Sequence, residues 1–327
     1  MKPILLPPNQ QPHFYRGGAA IASFRGVFSN GDHVPEDWLA STTARFGDGD
    51  RGLTVLSDGR RLRDAVAADA AAFLGPEHVA RFGADPAVLV KLLDAGERLP
   101  VHAHPDRGFA HEHLGSAYGK SEAWFVVAAA PGAHVHVGFR TDVDRETLAR
   151  WAAGEDADAM LDALHEIPVA AGDCMYVPAG TLHSIGAGVL IVEVQEPSDL
   201  GVLLEWSRFG LEQRQADMGL GLDTALECVR LTAAGEDELA GRRGSALPAA
   251  SAAFFRAEWL RSPETVPLEQ GYSVIVATDG AGRLETEDGA LDLRRGSVVL
   301  VPYAAGAGEL SGPLTAVRCA PPSGSVR

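Results

Sequence analysis

The sequence predicts a mainly β protein made of two antiparallel barrels, the second smaller than the first, with a helical segment inserted in the first. Three observations predict it. Gly and Pro, 37 and 20 residues, fall between short apolar runs, as turns fall between strands. A pattern of glycine, apolar run and proline occurs twice, as "GDCMYVPAG" from Gly172 to Pro178 and as "GSVVLVPYA" from Gly296 to Pro302. One stretch, residues 141–167, leaves this rhythm for a helical one.

In chain order, the alanine-rich stretch 65–74 reads as a helix, and "AVLVKLLDAG" (87–96) and "LPVHAHPD" (99–106) read as neighbouring strands. "SEAWFVVAAAPGAHVHVGF" (121–139) reads as two strands turned at Pro131-Gly132. In 141–167, Leu148 and Trp151, then Leu161 and Leu164, recur at helical spacing, and Thr141 with Asp144 resembles a capping box, so a helical pair is expected. "GDCMYVPAGTLHSI" and "GVLIVEVQEP" return to strands up to residue 197. The alanine-rich 245–253 reads as a linker, and "GYSVIVATDGAGRLETEDGALDLRRG" as two hairpins. The expected division is a first domain over 1–235, carrying the insertion, and a linker and second domain over 236–327.

At 327 residues the chain suits two modules, and its 46% hydrophobic and 22% charged content is that of a globular protein. A formal charge of −16 argues against nucleic acid or an anionic membrane as partner, since both require concentrated Lys and Arg. It leaves room for a phosphorylated small molecule, which needs only a few local cations. No apolar run approaches the roughly 20 residues of a spanning helix. The opening "MKPILLPPNQQPHF" is interrupted by prolines and is not read as a signal peptide. Cys174, Cys228 and Cys319 are dispersed and form no CxxC pair, which fits buried thiols in a cytoplasmic protein.

The chemically dense stretch is "VHAHPDRGFAHEHLGSAYGKSEAW", residues 101–124. Residues two apart on a strand face one side, so His102 and His104 can point together and offer two imidazoles to Zn²⁺ or a similar ion. His134 and His136 share that spacing, so spacing alone does not decide. The first pair has Pro105-Asp106 after it and Glu122 on the next strand, and His183 follows from "VPAGTLH". His111, Glu112 and His113 are placed in an intervening loop.

Gly172, Pro178, Gly180 and His183 match the second motif of the cupin superfamily, whose fold is a jelly-roll barrel. "LLDAGERLPVHAHPD", "HLGSAYGKSEAWFVV" and "VPAGTLHSIGAGVLIVEVQEPSD" together resemble class I mannose-6-phosphate isomerases, in particular the short bacterial form. "PEDWLASTT" and "LDTALECV" are fainter echoes, and the likeness covers most of 15–235. The resemblance implies a zinc site, other divalent ions being possible, at His104, Glu122 and His183. His102 stands where the family usually has glutamine. With Ala307 at the place of His183 in the repeated pattern and no histidine after His183, the second barrel is expected to carry no such metal.

The family interconverts an aldose and a ketose through a cis-enediol, so the resemblance implies a sugar or sugar phosphate as partner. Lys120 matches a family lysine, for charge stabilisation or proton handling. Glu193 matches a family glutamate, either as base or as a partner holding a histidine ligand. Arg208 and Trp124 are expected to contact substrate. One departure stands out: Leu203 occupies the position of a family arginine found near the substrate's charged end. Either Arg208, Arg107 or Arg140 substitutes, or the sugar is unphosphorylated. An iron-dependent oxygenase and a non-catalytic sugar sensor on the same fold are the alternatives.

Overall fold

Strands that read as unbroken apolar runs are covered on both faces, and this organises the molecule. The structure is a computed structural model that describes residues 1–262 and 265–323. Residues 263–264 and 324–327 of the expected second domain lie outside the described residues. Among the described residues the strands form antiparallel sheets of seven, five and eight strands. Leu89–Ala95, Glu122–Ala129, Val189–Gln195 and Cys174–Val177 lie in the seven-stranded sheet, in which Val189–Gln195 is flanked by Leu89–Ala95 and Glu122–Ala129.

Alternation along these strands sorts their side chains between two cores. Val90, Leu92, Ala123, Phe125, Val192 and Val194 join Val274, Leu300 and Val317 of the eight-stranded sheet in one apolar cluster. Leu93, Trp124, Val126 and Ile191 face the other way, where they meet Val135, Val137 and Ile185 of the five-stranded sheet. Lys91, Glu122 and Glu193 alternate onto this second face, so polar groups enter the space between the seven- and five-stranded sheets.

The five-stranded sheet contains His102–Ala103, His134–Phe139, Leu164–Pro168, His183–Ile185 and Val202–Leu203. His183 pairs with His102 on one side and Val137 on the other, which turns both histidines inward with Val137. Gly172 at φ 94° and Gly180 at φ 83° make the turns on either side of Cys174–Val177, a backbone region other residues adopt only with strain. The outer face of this sheet, with Val101, Ala103 and Val202, packs against Leu148, Ala152 and Met160 of the insertion.

Four local expectations are corrected. The helical pair is present as Arg145–Ala153 and Ala157–Ala163, but Leu164–Pro168 is a strand, because its alternation lets it pair with His134–Phe139. Asp144 is itself the N-cap, accepting from Thr147 N at 2.7 Å, and is not the far partner of Thr141. Residues Arg107–Leu114, expected as loop, form a helix capped by Asp106 and ended by Gly115 at φ 63°. Asp279-Gly280 does not close a hairpin. Ser273–Thr286 runs on as one strand, with a register shift between Ala277 and Asp279 that lets it cross from one partner strand to the next.

The C-terminal strands hold an apolar cluster of their own, including Ile275, Leu284, Leu293, Val299 and Leu310. The first strand of the chain, Ile4–Leu5, pairs with Val299 and Leu300 of that sheet. Among the described residues, no helix is long and apolar enough to cross a membrane.

Candidate active site

His102, His104 and His183 converge between the two sheets, with ring nitrogens lying within 4.8 Å of one another. Each ring has its Nδ1 on a carbonyl: Pro100 O at 2.8 Å for His102, Leu200 O at 2.7 Å for His104 and Thr181 O at 2.8 Å for His183. A carbonyl only accepts, so these contacts assign the proton to Nδ1 and leave each Nε2 lone pair free for the centre. Gly201 makes room for this arrangement, since a Cβ there would come within 3.3 Å of His104 Nδ1.

Glu122 closes the set from the opposite sheet. Its Oε2 lies 3.3 Å from His104 Nε2, and its Oε1 lies 3.3 Å from His183 Nε2. Donors about 2.0–2.2 Å from a tetrahedral ion stand about 3.3 Å apart, so a carboxylate and imidazoles at this separation suit one. His183 Nε2 is buried and forms no hydrogen bond among the described residues, a cost that a bound ion would offset. The donor set of three imidazoles and one carboxylate therefore fits a divalent ion of zinc's kind.

Trp124, expected against substrate, is buried and does not line the cavity; its Nε1 donates to Glu122 Oε1 at 3.0 Å and so orients the carboxylate. Lys120 Nζ lies 2.7 Å from Glu122 Oε2 and 3.0 Å from His104 Nε2, and 3.6 Å from Glu193 Oε1. The ammonium and a metal ion thus compete for the same two lone pairs.

Burial and then the Lys120 ammonium lower the His104 imidazole to about 4, and burial with the neighbouring imidazoles lowers His102 well below its usual value. Burial alone would raise the Glu122 carboxyl, but Lys120 and the His104 and His183 rings hold it well below the usual range. Glu193 goes the other way. Burial pushes it up to about 7, with Lys120 opposing the shift and Glu122 adding to it.

These groups open into a cavity of about 460 Å³. Its wall contains a charged network not anticipated from the sequence. Lys91 Nζ lies 3.3 Å from Glu36 Oε2, 3.3 Å from Asp199 Oδ1 and 4.0 Å from Glu193 Oε1, and sits over the Trp38 ring. Glu36 is held in turn by Tyr15 OH and Trp38 Nε1, each at 2.7 Å. A signal existed for Lys91, a charge set within the apolar run "LVKLL". Glu36 and Asp199 fall within "PEDWLASTT" and "VQEPSD", but no local feature gives either of them a role.

Leu203 pairs with His102 on the adjoining strand and lines the cavity. None of the three arginines considered as its replacement does so. Arg208 is 53% exposed and lies near Glu205 and Glu97, outside the cavity. Arg107 is bound by Glu196 at 2.5 Å and lies over Phe254, and Arg140 is exposed. The arginines that do line the cavity are Arg45 and Arg214. His111, Glu112 and His113 lie on the Arg107–Leu114 helix, outside the cavity.

No family model matches the chain. It is 44% identical over 112 residues to the mannose-6-phosphate isomerase of Streptococcus mutans serotype c, a match spanning 34% of each chain. It is 26% identical over 233 residues to mannose-6-phosphate isomerase ManA of Bacillus subtilis, covering 69% of this chain and 72% of that one. The match thus spans about a third of the first of these relatives, 34% of its length. Among solved structures, a putative mannosephosphate isomerase from Archaeoglobus fulgidus superposes with a TM-score of 0.78 at 21% identity, over 98% of both chains. A mannose 6-phosphate isomerase bound with zinc and yttrium superposes at 0.75 and 15% identity, over 98% of this chain and 100% of that one.

Proposed function

We propose that this chain, which belongs to the mannose-6-phosphate isomerase family, is a zinc-dependent aldose–ketose isomerase that interconverts mannose 6-phosphate and fructose 6-phosphate through a cis-enediol. One observation carries the reading: three carbonyl-oriented imidazoles and Glu122 converge at the end of a cavity that also holds Lys120 and Glu193. A divalent ion held there supplies Lewis-acid stabilisation for oxygen charge that develops on the sugar. Among the cupin alternatives, the isomerase is favoured by the Lys120 and Glu193 pair, which an oxygenase has no evident need for.

The chain's own groups divide the remaining work. Lys120 Nζ offers a positive charge to the sugar oxygens once it swings from Glu122 towards Glu193. Glu193 Oε1 is buried without a hydrogen bond among the described residues, which supports it as the base that takes the proton from one sugar carbon and returns it to the next. Lys91 anchors Glu36 and Asp199, whose carboxylates can accept sugar hydroxyls. Arg45 and Arg214 at the cavity wall are the cations offered to the phosphate. Residues 1–235 form the metal-bearing barrel in this reading, and 236–327 a linker and a smaller barrel without a metal, a division supported by the separate apolar cluster there.

Leu203 favours a second reading, an unphosphorylated sugar, because leucine beside His102 cannot bind an anion. Proton NMR of zinc-loaded protein in D₂O, with mannose 6-phosphate and mannose in parallel, separates the two. Ketose carrying deuterium at the exchanged carbon from the phosphorylated sugar alone supports the first reading. The same from mannose alone supports the second, and no exchange with either defeats both.

A further inference from the structure

His134 and His136 share the i, i+2 spacing of the inward pair but point the opposite way. Val135 and Val137 take the inner face, and His136 lies opposite Ser184 and Glu166 on neighbouring strands. Ligand atoms of His134, His136 and Glu166 all lie within 4.8 Å of one another, with His136 Nε2 3.7 Å from Glu166 Oε2. His134 has its Nδ1 3.1 Å from Gly132 O, which assigns the proton there and leaves the Nε2 lone pair for a ligand. His136 is only 7% exposed, and its Nδ1 is buried without a hydrogen-bond partner among the described residues. Its Nε2, the nitrogen that faces Glu166, is the one that can offer a lone pair to an ion.

We propose that His134, His136 and Glu166 form a second divalent transition-metal site on the outer face of the five-stranded sheet. Two imidazoles and one carboxylate suit Zn²⁺, with water completing the shell, and would hold Cu²⁺ more tightly. A tetrahedral ion wants its donors about 3.3 Å apart, and the half-buried His134 and exposed Glu166 side chains are free to close that distance. The ion would tie Leu164–Pro168, the outermost strand of the sheet, to its neighbour. This is where the chain returns from the helical insertion, and where the ladder slips register between His136 and Phe139. The site is therefore a clip on the sheet edge. It is independent of the isomerase reading, since none of its three residues lines the cavity.

The test is zinc content by mass spectrometry after chelation and equilibrium dialysis of the full chain against ZnCl₂, with thermal unfolding in parallel. Wild type is expected to hold two ions per chain. His134→Ala and Glu166→Ala are expected to hold one, keep unchanged turnover, and lose the part of the zinc-induced Tm rise that follows the first equivalent. Both changes fall outside the buried core, so the fold is retained. His183→Ala should lose the inward ion and keep this one. Zinc content that neither His134→Ala nor Glu166→Ala reduces overturns the proposal, whatever the inward site holds.

Discussion

Lys120 occupies the decisive position among the single residues, because its ammonium holds lone pairs of Glu122 and His104 that a metal ion also needs. Replacing it by alanine is expected to keep or tighten metal binding, as measured by calorimetry, while turnover falls by roughly 10²–10⁴-fold. Equal loss of both would make Lys120 a structural group instead. His102→Gln should retain metal, since a side-chain amide oxygen can replace one imidazole, whereas His104→Ala or His183→Ala should lose affinity by more than about 100-fold. Leu203→Arg adds a cation beside His102 and is expected to raise kcat/KM for a phosphorylated sugar relative to the free sugar by roughly tenfold; an unchanged ratio would place the charged end of the substrate elsewhere. Much of this site is legible one residue at a time. A charged side chain inside an apolar strand has few purposes, and Glu193 and Lys91 share that mark, though only Glu193 was read from the sequence. Glu36 and Asp199 were not legible, because the groups that make them matter, Tyr15, Trp38 and Lys91, come together only in space.

Elements show where local pattern suffices and where it fails. Strand alternation in "EAWFVVAA" separates Phe125, in the core between the seven- and eight-stranded sheets, from Glu122 and Trp124 at the site. Phe125→Ala should cost about 3–5 kcal/mol in denaturant unfolding, since the fully buried ring leaves a cavity between sheets. Asp144→Ala should cost about 1 kcal/mol through loss of the helix cap on Thr147 N. The Arg107–Leu114 helix was missed because its seam of apolar residues is short and its histidines and glutamate read as polar loop; the signal lay in Asp106 before it and Gly115 after it. The long strand Ser273–Thr286 reads as part of two hairpins because a turn dipeptide such as Asp279-Gly280 and a strand crossing between partners have the same local composition.

Across the whole molecule, the charged network in the cavity wall couples stability to pH. Burial alone would raise the Glu36 carboxyl, but Lys91, His13 and hydrogen bonds from Trp38 and Tyr15 hold it below its usual range. A carboxyl depressed in the folded state contributes fully above its unfolded pKa, about 4.3, and that contribution fades as pH falls further. Glu36→Gln is therefore expected to lower stability by roughly 3 kcal/mol at neutral pH, with a gap to wild type that narrows steadily below about pH 4. A pH-independent gap would mean the loss is one of packing. The general plan of antiparallel sheets around a histidine-lined interior was legible from turn punctuation and from the Gly172-to-His183 pattern, while the facing of each sheet towards its two neighbours required the register itself. The most direct test of the central claim is to strip the protein of metal, titrate Zn²⁺ back, and follow conversion of mannose 6-phosphate and mannose in wild type and His183→Ala together. Turnover of one sugar that rises with zinc in wild type and stays absent in His183→Ala is the expected result. Full turnover in the chelated protein, or undiminished turnover in His183→Ala, would contradict it.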